Sequence, residues 1–371
     1  QIHAVHIDTG YMRQDEGVKV KKALAKVGIK LKIIDASNVF YKAIGNAIDP
    51  ETKRKTIGDV FIKVAKQAML DLGFNASEMF LAQGTLRPDL IESASTITSN
   101  KAEKIKTHHN DSPLARAFRD QNRIVEPLQD YHKDEVRKLG TSLGLPKDLV
   151  WRQPFPGPGL SLRVLCTDQT SLKANVAPIL KKLNRYQSKN HSITLLPVKT
   201  VGVQGDGRSY KYVVGISGKP NWNKLFEMAR EIPREVHEVN RVVFIFGKKL
   251  SERFIKELTP TTLSSDVLTQ VRLADDIINK ISFRYDLSML ISQLLIISVP
   301  VSFDKKGSRS ISLRTFITND FMTGVPAIPK TKYMPLTILN KMVKEVLTKV
   351  PGISRVMYDL TSKPPGTTEW E

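Results

Sequence analysis

Residues 1–37, QIHAVHIDTGYMRQDEGVKVKKALAKVGIKLKIIDAS, decide the fold. QIHAVHID alternates and then runs apolar as a strand does, QDEGVKVKKALAKVG carries helical spacing, and KLKIIDAS returns as a second strand. Strand, helix and strand of these lengths make a βαβ unit, whose two strands lie parallel. Beyond it, Ile57, Val60, Phe61, Val64, Ala68 and Leu72 fall on one helical face, and EMFLAQG is a third strand. Asp8 and Gln83 then end parallel strands, on the side where open α/β sheets bind ligands. The first strand of such a sheet normally carries a Gly-rich phosphate-binding turn, and no Gly-rich stretch lies near Gln1. The expectation is an α/β domain entered past its first strand and phosphate loop.

A chain of 371 residues predicts two or three domains. Its 57 Lys and Arg against 37 Asp and Glu leave a net charge of +20, which attracts polyanions or phosphorylated small molecules. The basic residues are scattered, without an arginine-rich arm or a zinc-finger or RNP signature, and this argues against nucleic acid. The most apolar window, MLISQLLIISVPVSF (289–303), is broken by Ser292, Gln293 and Pro300 and is shorter than the roughly 20 residues of a membrane span. A single cysteine, Cys166, excludes an internal disulfide and fits a reducing, cytosolic compartment; its apolar neighbours make it a small core residue.

Residues 93–121 are polar and aperiodic, as in a lid between core segments. A rigid Pro- and Gly-rich turn, QPFPGPGLSLRVL (153–165), follows and joins domains. The second half contains an echo. RSYKYVVGI (208–216), a helix and NRVVFIFGKK (240–249) resemble RSISLRTFI (309–317), a helix and SRVMYDLTSK (354–363). Two related modules of this kind pack on each other or supply a homodimer face. The predicted domains are 1–153, with the lid, then modules 154–295 and 296–371, the last ending in the proline-stiffened tail DLTSKPPGTTEWE (359–371).

Six stretches in order, FLAQGTLRPDLIES, IKTHHN, PFPGPGLSLRV, TVGVQGDGRSYKYVVGI, TNDFMTG and SRVMYDLTSKPPGTTEWE, resemble the GMP synthetase family across nearly the whole chain, in its longer eukaryotic form with a doubled C-terminal module. The resemblance implies an α/β fold: a parallel-sheet ATP-pyrophosphatase (adenine nucleotide alpha hydrolase-like) domain followed by two related α+β C-terminal modules. It implies a ligase of purine biosynthesis that uses ATP and Mg2+ to aminate XMP. An adenylyl-XMP intermediate forms first, and ammonia, from glutamine hydrolysed in an amidotransferase domain outside these residues, displaces AMP. Without that domain and the phosphate loop, these residues alone are expected to be inactive. The sequence departs from many relatives at Gln153 and Thr368.

The resemblance places Arg13, Asp206, Gln293, Arg355, Lys363 and Glu369 at XMP, with Lys363 toward its phosphate. A lysine stiffened by Pro364 and Pro365 loses less freedom on binding than one in a flexible tail, and Arg355 would fork onto the phosphate. Gln293, in an apolar stretch, needs a partner if buried, either a purine edge or backbone. Asp206, between glycines, reads equally as a turn residue. In the lid, Lys106, His108 and His109, supported by Thr107 and Asn110, would meet charge developing on the α-phosphate. Adjacent histidines without a nearby cysteine have poor spacing for zinc. Asp89 and Glu92, three apart, would anchor the lid, bind magnesium or take a proton from ammonia. Two other readings compete: an ATP-pyrophosphatase that modifies tRNA, which the +20 charge invites, and a non-catalytic nucleotide-binding scaffold.

Overall fold

The computed structural model describes residues 2–73, 79–87, 118–172, 174–204, 207–318 and 323–371. They fall into two units, residues 1–45 with 54–152, and residues 46–53 with 153–371.

In the first unit, β1 (Ala4–Asp8) pairs in parallel with β2 (Leu31–Asp35), from Ala4↔Leu31 to Asp8↔Asp35, and the helix Glu16–Ala25 is the crossover. This is the βαβ unit expected from the periodicity of residues 1–37. The turn after β1 is tightly specified. Asp8 Oδ1 accepts from the Gly10 N–H at 2.8 Å, and the Tyr41 hydroxyl donates to the Gly10 carbonyl at 2.7 Å. Gly10 has φ +77°, and a Cβ there would fall 2.5 Å from the Tyr41 ring, so only glycine fits. Tyr11 is buried edge-on to Tyr41, with ring centroids 5.5 Å apart. The helix Pro50–Asp71 buries Ile57, Val60 and Ala68, while Phe61 is 43% exposed. Phe61 stands about 100° round the helix from Val60, off the stripe. The third expected strand shortens to β3 (Leu81–Ala82), parallel to β4 (Ile124–Val125), and among the described residues the unit has two separate parallel pairs.

The second unit is built on one six-stranded sheet of β5 (His191–Gln204), β6 (Gly207–Gly218), β7 (Val239–Ile245), β8 (Gln293–Val299), β9 (Arg309–Phe316) and β10 (Ile353–Asp359). Their order is β5-β6-β7-β10-β9-β8. Each half is an antiparallel pair, β5/β6 or β8/β9, followed by a parallel partner, β7 or β10, reached through the helix Trp222–Glu235 or Leu336–Lys349. The halves meet where β7 and β10 run antiparallel, with Met357↔Ile245 and Asp359↔Val243. The sequence echo is therefore one sheet made of two like halves. An expected boundary at 295/296 is corrected by this, because it cuts β8, which pairs with β9 along its whole length. The first boundary moves as well. The second unit starts at Gln153 and takes in residues 46–53, where buried Lys53 donates to the carbonyls of Ser161 at 3.2 Å and Val164 at 3.1 Å.

Alternation along the strands feeds two cores. Val242, Phe244, Val356 and Tyr358 pack with the crossover helices and the helix Ser265–Arg284. Val243, Ile245 and Met357 face the other way, against Ile255, Leu258 and Trp370. Each fully buried aliphatic side chain contributes about 1.5–3 kcal/mol, so the repeat gains stability from sharing one sheet.

Candidate nucleotide pocket

The C-terminal tail is pinned by the protein itself. Val203 N–H donates to the Pro365 carbonyl at 2.8 Å and Val201 N–H to the Trp370 carbonyl at 2.9 Å, which covers the free edge of β5. Gly202 bridges Gly366, and a Cβ on Gly202 would fall 2.7 Å from the Pro365 carbonyl oxygen, so the close approach needs glycine. Trp370 is fully buried, and Glu371 closes an ion pair with Lys53 and accepts from the Cys166 N–H at 3.3 Å. Burial pushes the Cys166 thiol up to about 11, which agrees with a small core residue rather than a nucleophile.

Fixing the tail positions Lys363. Its backbone exchanges both hydrogen bonds with Gly324, at 2.9 and 3.0 Å, and its ammonium lies 5.8 Å from the centroid of the Phe316 ring. Gly324 is again obligatory, since a Cβ would meet that ring at 2.3 Å. An open pocket of about 330 Å³ results, lined by Ile317, Thr318, Thr323, Val325, Ser362 and Lys363 together with Gly324. It lies at the carboxyl ends of β9 and β10. Gln293, at the start of β8, pairs across the sheet with Phe316, the residue whose ring lies beneath the Lys363 ammonium. Gln293 Oε1 is buried and has no hydrogen-bond partner among the described residues. Gln153 sits beside it, accepting from the Leu294 N–H at 3.0 Å and donating to the Ile291 carbonyl at 3.2 Å.

Behind the pocket lies a charged cluster that periodicity did not reveal. Asp359 Oδ2 accepts from Arg241 NH1 at 2.7 Å and from Trp370 Nε1 at 3.0 Å, and stands 3.3 Å from Arg314 NH1, with all three charged side chains fully buried. Burial would raise the Asp359 carboxyl, but Arg314 and Arg241 hold it below the ordinary carboxylate range. The Arg241 guanidinium is lowered by burial to about 10, an effect that Asp359 and Glu369 oppose. The Glu369 carboxylate thus acts on this cluster through its charge. Arg314 joins it to the pocket, lying 5.9 Å from the Phe316 centroid. Its Nε and NH2 are buried without a partner among the described residues. Its signal in the sequence was the alternation of Ser310, Ser312 and Arg314 with Ile311 and Leu313 in a strand buried on both faces.

Arg355 is placed differently from the expectation. It lies near the opposite end of β10 from Lys363, 6% exposed, with Nε and NH2 on Asp304 at 2.5 and 2.8 Å and NH1 on the carbonyls of Phe246 and Lys248 at 3.3 and 2.6 Å. A fork already closed on a carboxylate reaches a phosphate only by releasing it. Arg13 follows β1 on the turn pinned by Tyr41, at the carboxyl end of the strand as expected. Gln83 follows β3, and its Oε1 is also buried without a partner among the described residues. Asp89, Glu92, Lys106, Thr107, His108, His109, Asn110 and Asp206 lie outside the described residues. Among the described residues no three His, Cys, Asp or Glu gather to hold a metal, and no helix is long and apolar enough to cross a membrane.

Fold and site together define a mixed α/β protein whose second unit presents a lysine-edged, hydroxyl-lined pocket at the strand ends of its repeated sheet. Residues 278–370 match the family described as GMP synthase C terminal domain. Over 99% of its length the chain is 46% identical to a GMP synthase [glutamine-hydrolyzing] of Dictyostelium discoideum, and over 100% it is 41% identical to a probable GMP synthase of Caenorhabditis elegans. A GMP synthase of Yarrowia lipolytica is 39% identical over 67% of the chain. The chain belongs to the GMP synthase family. It spans 58% and 60% of the lengths of the first two relatives.

Proposed function

We propose that this chain is the synthetase part of a glutamine-hydrolysing GMP synthase, a ligase that aminates XMP to GMP at the expense of ATP. The observation that carries the reading is the Lys363 pocket. Among the described residues it is lined by a lysine on a pinned backbone, three hydroxyl-bearing residues and no carboxylate, which suits a phosphate monoester. The orphaned Gln293 Oε1 nearby suits a purine edge, because an unmet buried acceptor costs about 1–3 kcal/mol unless a ligand supplies the donor. Arg314 adds positive potential behind Phe316. Glu369, whose charge acts on Arg241, and Arg13, at the β1 carboxyl end, belong to the proposed XMP set by the family resemblance. Arg355 joins it only by exchanging Asp304 for phosphate.

In this reading the first unit has the ATP-pyrophosphatase fold, and its parallel pairs are consistent with that. The xanthine O2 attacks the α-phosphate of ATP, pyrophosphate leaves, and ammonia displaces AMP at C2. Lys106, His108 and His109 would stabilise charge on the α-phosphate, and Asp89 and Glu92 would hold magnesium or accept a proton. Ammonia would come from an amidotransferase domain supplied by the remaining length of the relatives. The test is thermal unfolding of the chain with XMP. Stabilisation that grows with XMP concentration in the wild type and disappears in Lys363→Ala is expected. An equal shift in both proteins would remove Lys363 from the site.

A further inference from the structure

The two halves of the sheet are related by a local pseudo-twofold between β7 and β10. Adding 114 to a β7 number gives its β10 counterpart, and this exchange turns the pair Met357↔Ile245 into Asp359↔Val243, which is also a pair in the sheet. The same step carries Arg241 to Arg355 and Lys249 to Lys363. Both arginines clamp the segment that leaves the opposite strand. Arg355 NH1 binds the Phe246 and Lys248 carbonyls after β7, and Arg241 holds Asp359 and the Thr367 carbonyl after β10. Glycine is packed against each guanidinium, Gly247 on Arg355 and Gly366 on Arg241, where a Cβ would stand 3.0 and 3.2 Å from NH1. Both lysines lie at the same distance past the end of their strands, which close at Ile245 and Asp359.

Lys249 also edges a pocket. It is open, about 480 Å³, and is lined by Asn184, Gln187, Ser192, Ser251 and Arg253 along with Lys249 and Leu250. The volume falls within the range of small-molecule sites. Among the described residues no carboxylate lines it. The Lys249 ammonium donates to the carbonyls of Ser188 at 3.1 Å and Lys189 at 2.9 Å. Two of its three N–H groups are thereby fixed and one remains for a ligand. The exposed Arg253 guanidinium forms no ion pair or hydrogen bond among the described residues, while its backbone carbonyl is anchored by the Leu195 N–H at 2.8 Å. Ser192 is buried at the pocket floor, and the Leu250 N–H is taken by Ser217 at 2.9 Å. An immobilised lysine and hydroxyls with no acid among the described lining residues repeat the chemistry of the Lys363 pocket, and Arg253 adds a second cation.

We propose that the pocket at Lys249 and Arg253 is a second oxyanion site, the repeat counterpart of the Lys363 pocket, which takes a phosphate monoester or free phosphate. The proposal rests on reading the Lys363 pocket as a phosphate-binding site. Among the described residues the two pockets share the lysine and the hydroxyls, and Arg253 is an addition of the Lys249 pocket, so free phosphate should compete better there.

Calorimetric titration of the full 371-residue chain with XMP, and separately with inorganic phosphate, tests it. The variants are Lys363→Ala, the double variant Lys249→Ala with Arg253→Ala, and their combination. Lys249 and Arg253 are exposed, so their replacement leaves the fold intact, which circular dichroism checks. The expected result is two XMP sites per chain. The double variant retains one, Lys363→Ala retains the other, and the combination loses both. Phosphate affinity should fall at least tenfold in the double variant. A single site in the wild type, lost in Lys363→Ala and untouched in the double variant, would overturn the second site while leaving the reading of the Lys363 pocket intact. XMP binding insensitive to Lys363→Ala but lost in the double variant would instead support the second site and remove the first.

Discussion

Replacing Asp359 by asparagine would keep the shape of the side chain and remove the one carboxylate between two buried arginines. Its Oδ2 meets Arg241 at 2.7 Å, Trp370 at 3.0 Å and Arg314 at 3.3 Å, and its Oδ1 accepts from the Thr361 N–H at 2.9 Å. All the charged partners are fully buried, so solvent cannot replace the lost charge. Breaking a buried pair from one side costs about 3–5 kcal/mol, and at roughly 2–4 °C per kcal/mol for a unit of this size the melting temperature falls by about 6–20 °C. Urea unfolding followed by near-ultraviolet circular dichroism, to which Trp370 contributes, is the assay. The pH dependence gives a second readout. The folded Asp359 carboxyl is held below its ordinary value, so its contribution is present above about pH 3.9, the unfolded value, and is lost as pH falls through the folded one. The asparagine variant should lack that part of the acid loss. A cost under about 1 kcal/mol with an unchanged acid limb would refute the argument, because it would mean that water compensates the two arginines.

Further expectations concern the pocket and the core. Lys363→Ala removes a charged donor worth about 1.5–3 kcal/mol, so XMP affinity should fall roughly 10- to 150-fold, while turnover of the complete enzyme at saturating XMP falls less; kinetics separate the two. Gln293→Met should raise the unfolding free energy by about 1 kcal/mol through removal of an orphaned acceptor, and should weaken XMP binding; a loss of stability would show that Gln293 is a structural residue. With its thiol at about 11 against an unperturbed value near 8.5, Cys166 should be alkylated by iodoacetamide at pH 8 roughly 100-fold more slowly in the folded chain than in urea, and equal rates would contradict its burial. Asp304→Ala, at a half-exposed carboxylate, should cost less than about 1 kcal/mol; if Arg355 then turns to substrate, XMP affinity rises.

Much of the fold was legible because its signals are local. The βαβ unit of residues 1–37 needs only period 2 and period 3.6 in the right order, and its two strands pair in parallel as expected. The echo of NRVVFIFGKK in SRVMYDLTSK announced the repeat, but not that β7 and β10 would join the copies into one sheet, since that pairing links residues more than 100 positions apart. For this reason the boundary at 295/296 fell inside β8. Lys363 and Gln293 were singled out by the family resemblance, and Phe316 lies next to both, beneath the Lys363 ammonium and opposite Gln293 in the sheet. The Arg241–Asp359–Arg314 cluster went unread because each residue alone resembles an ordinary polar position in a strand. Only the alternation of Ser310, Ser312 and Arg314 hinted at a polar buried face. Arg355 was misplaced for the same reason: the sequence cannot show that Asp304 will occupy its fork first.

If the tail pocket takes a purine nucleoside monophosphate with an oxygen at C2, calorimetric titration of the chain with XMP beside IMP will show it. Saturable XMP binding at least tenfold tighter than IMP is expected, with the preference lost in Gln293→Met, since xanthine carries an N3–H donor for the orphaned Gln293 oxygen that hypoxanthine lacks. Equal affinity for the two nucleotides, or no XMP binding by a folded chain, would contradict it.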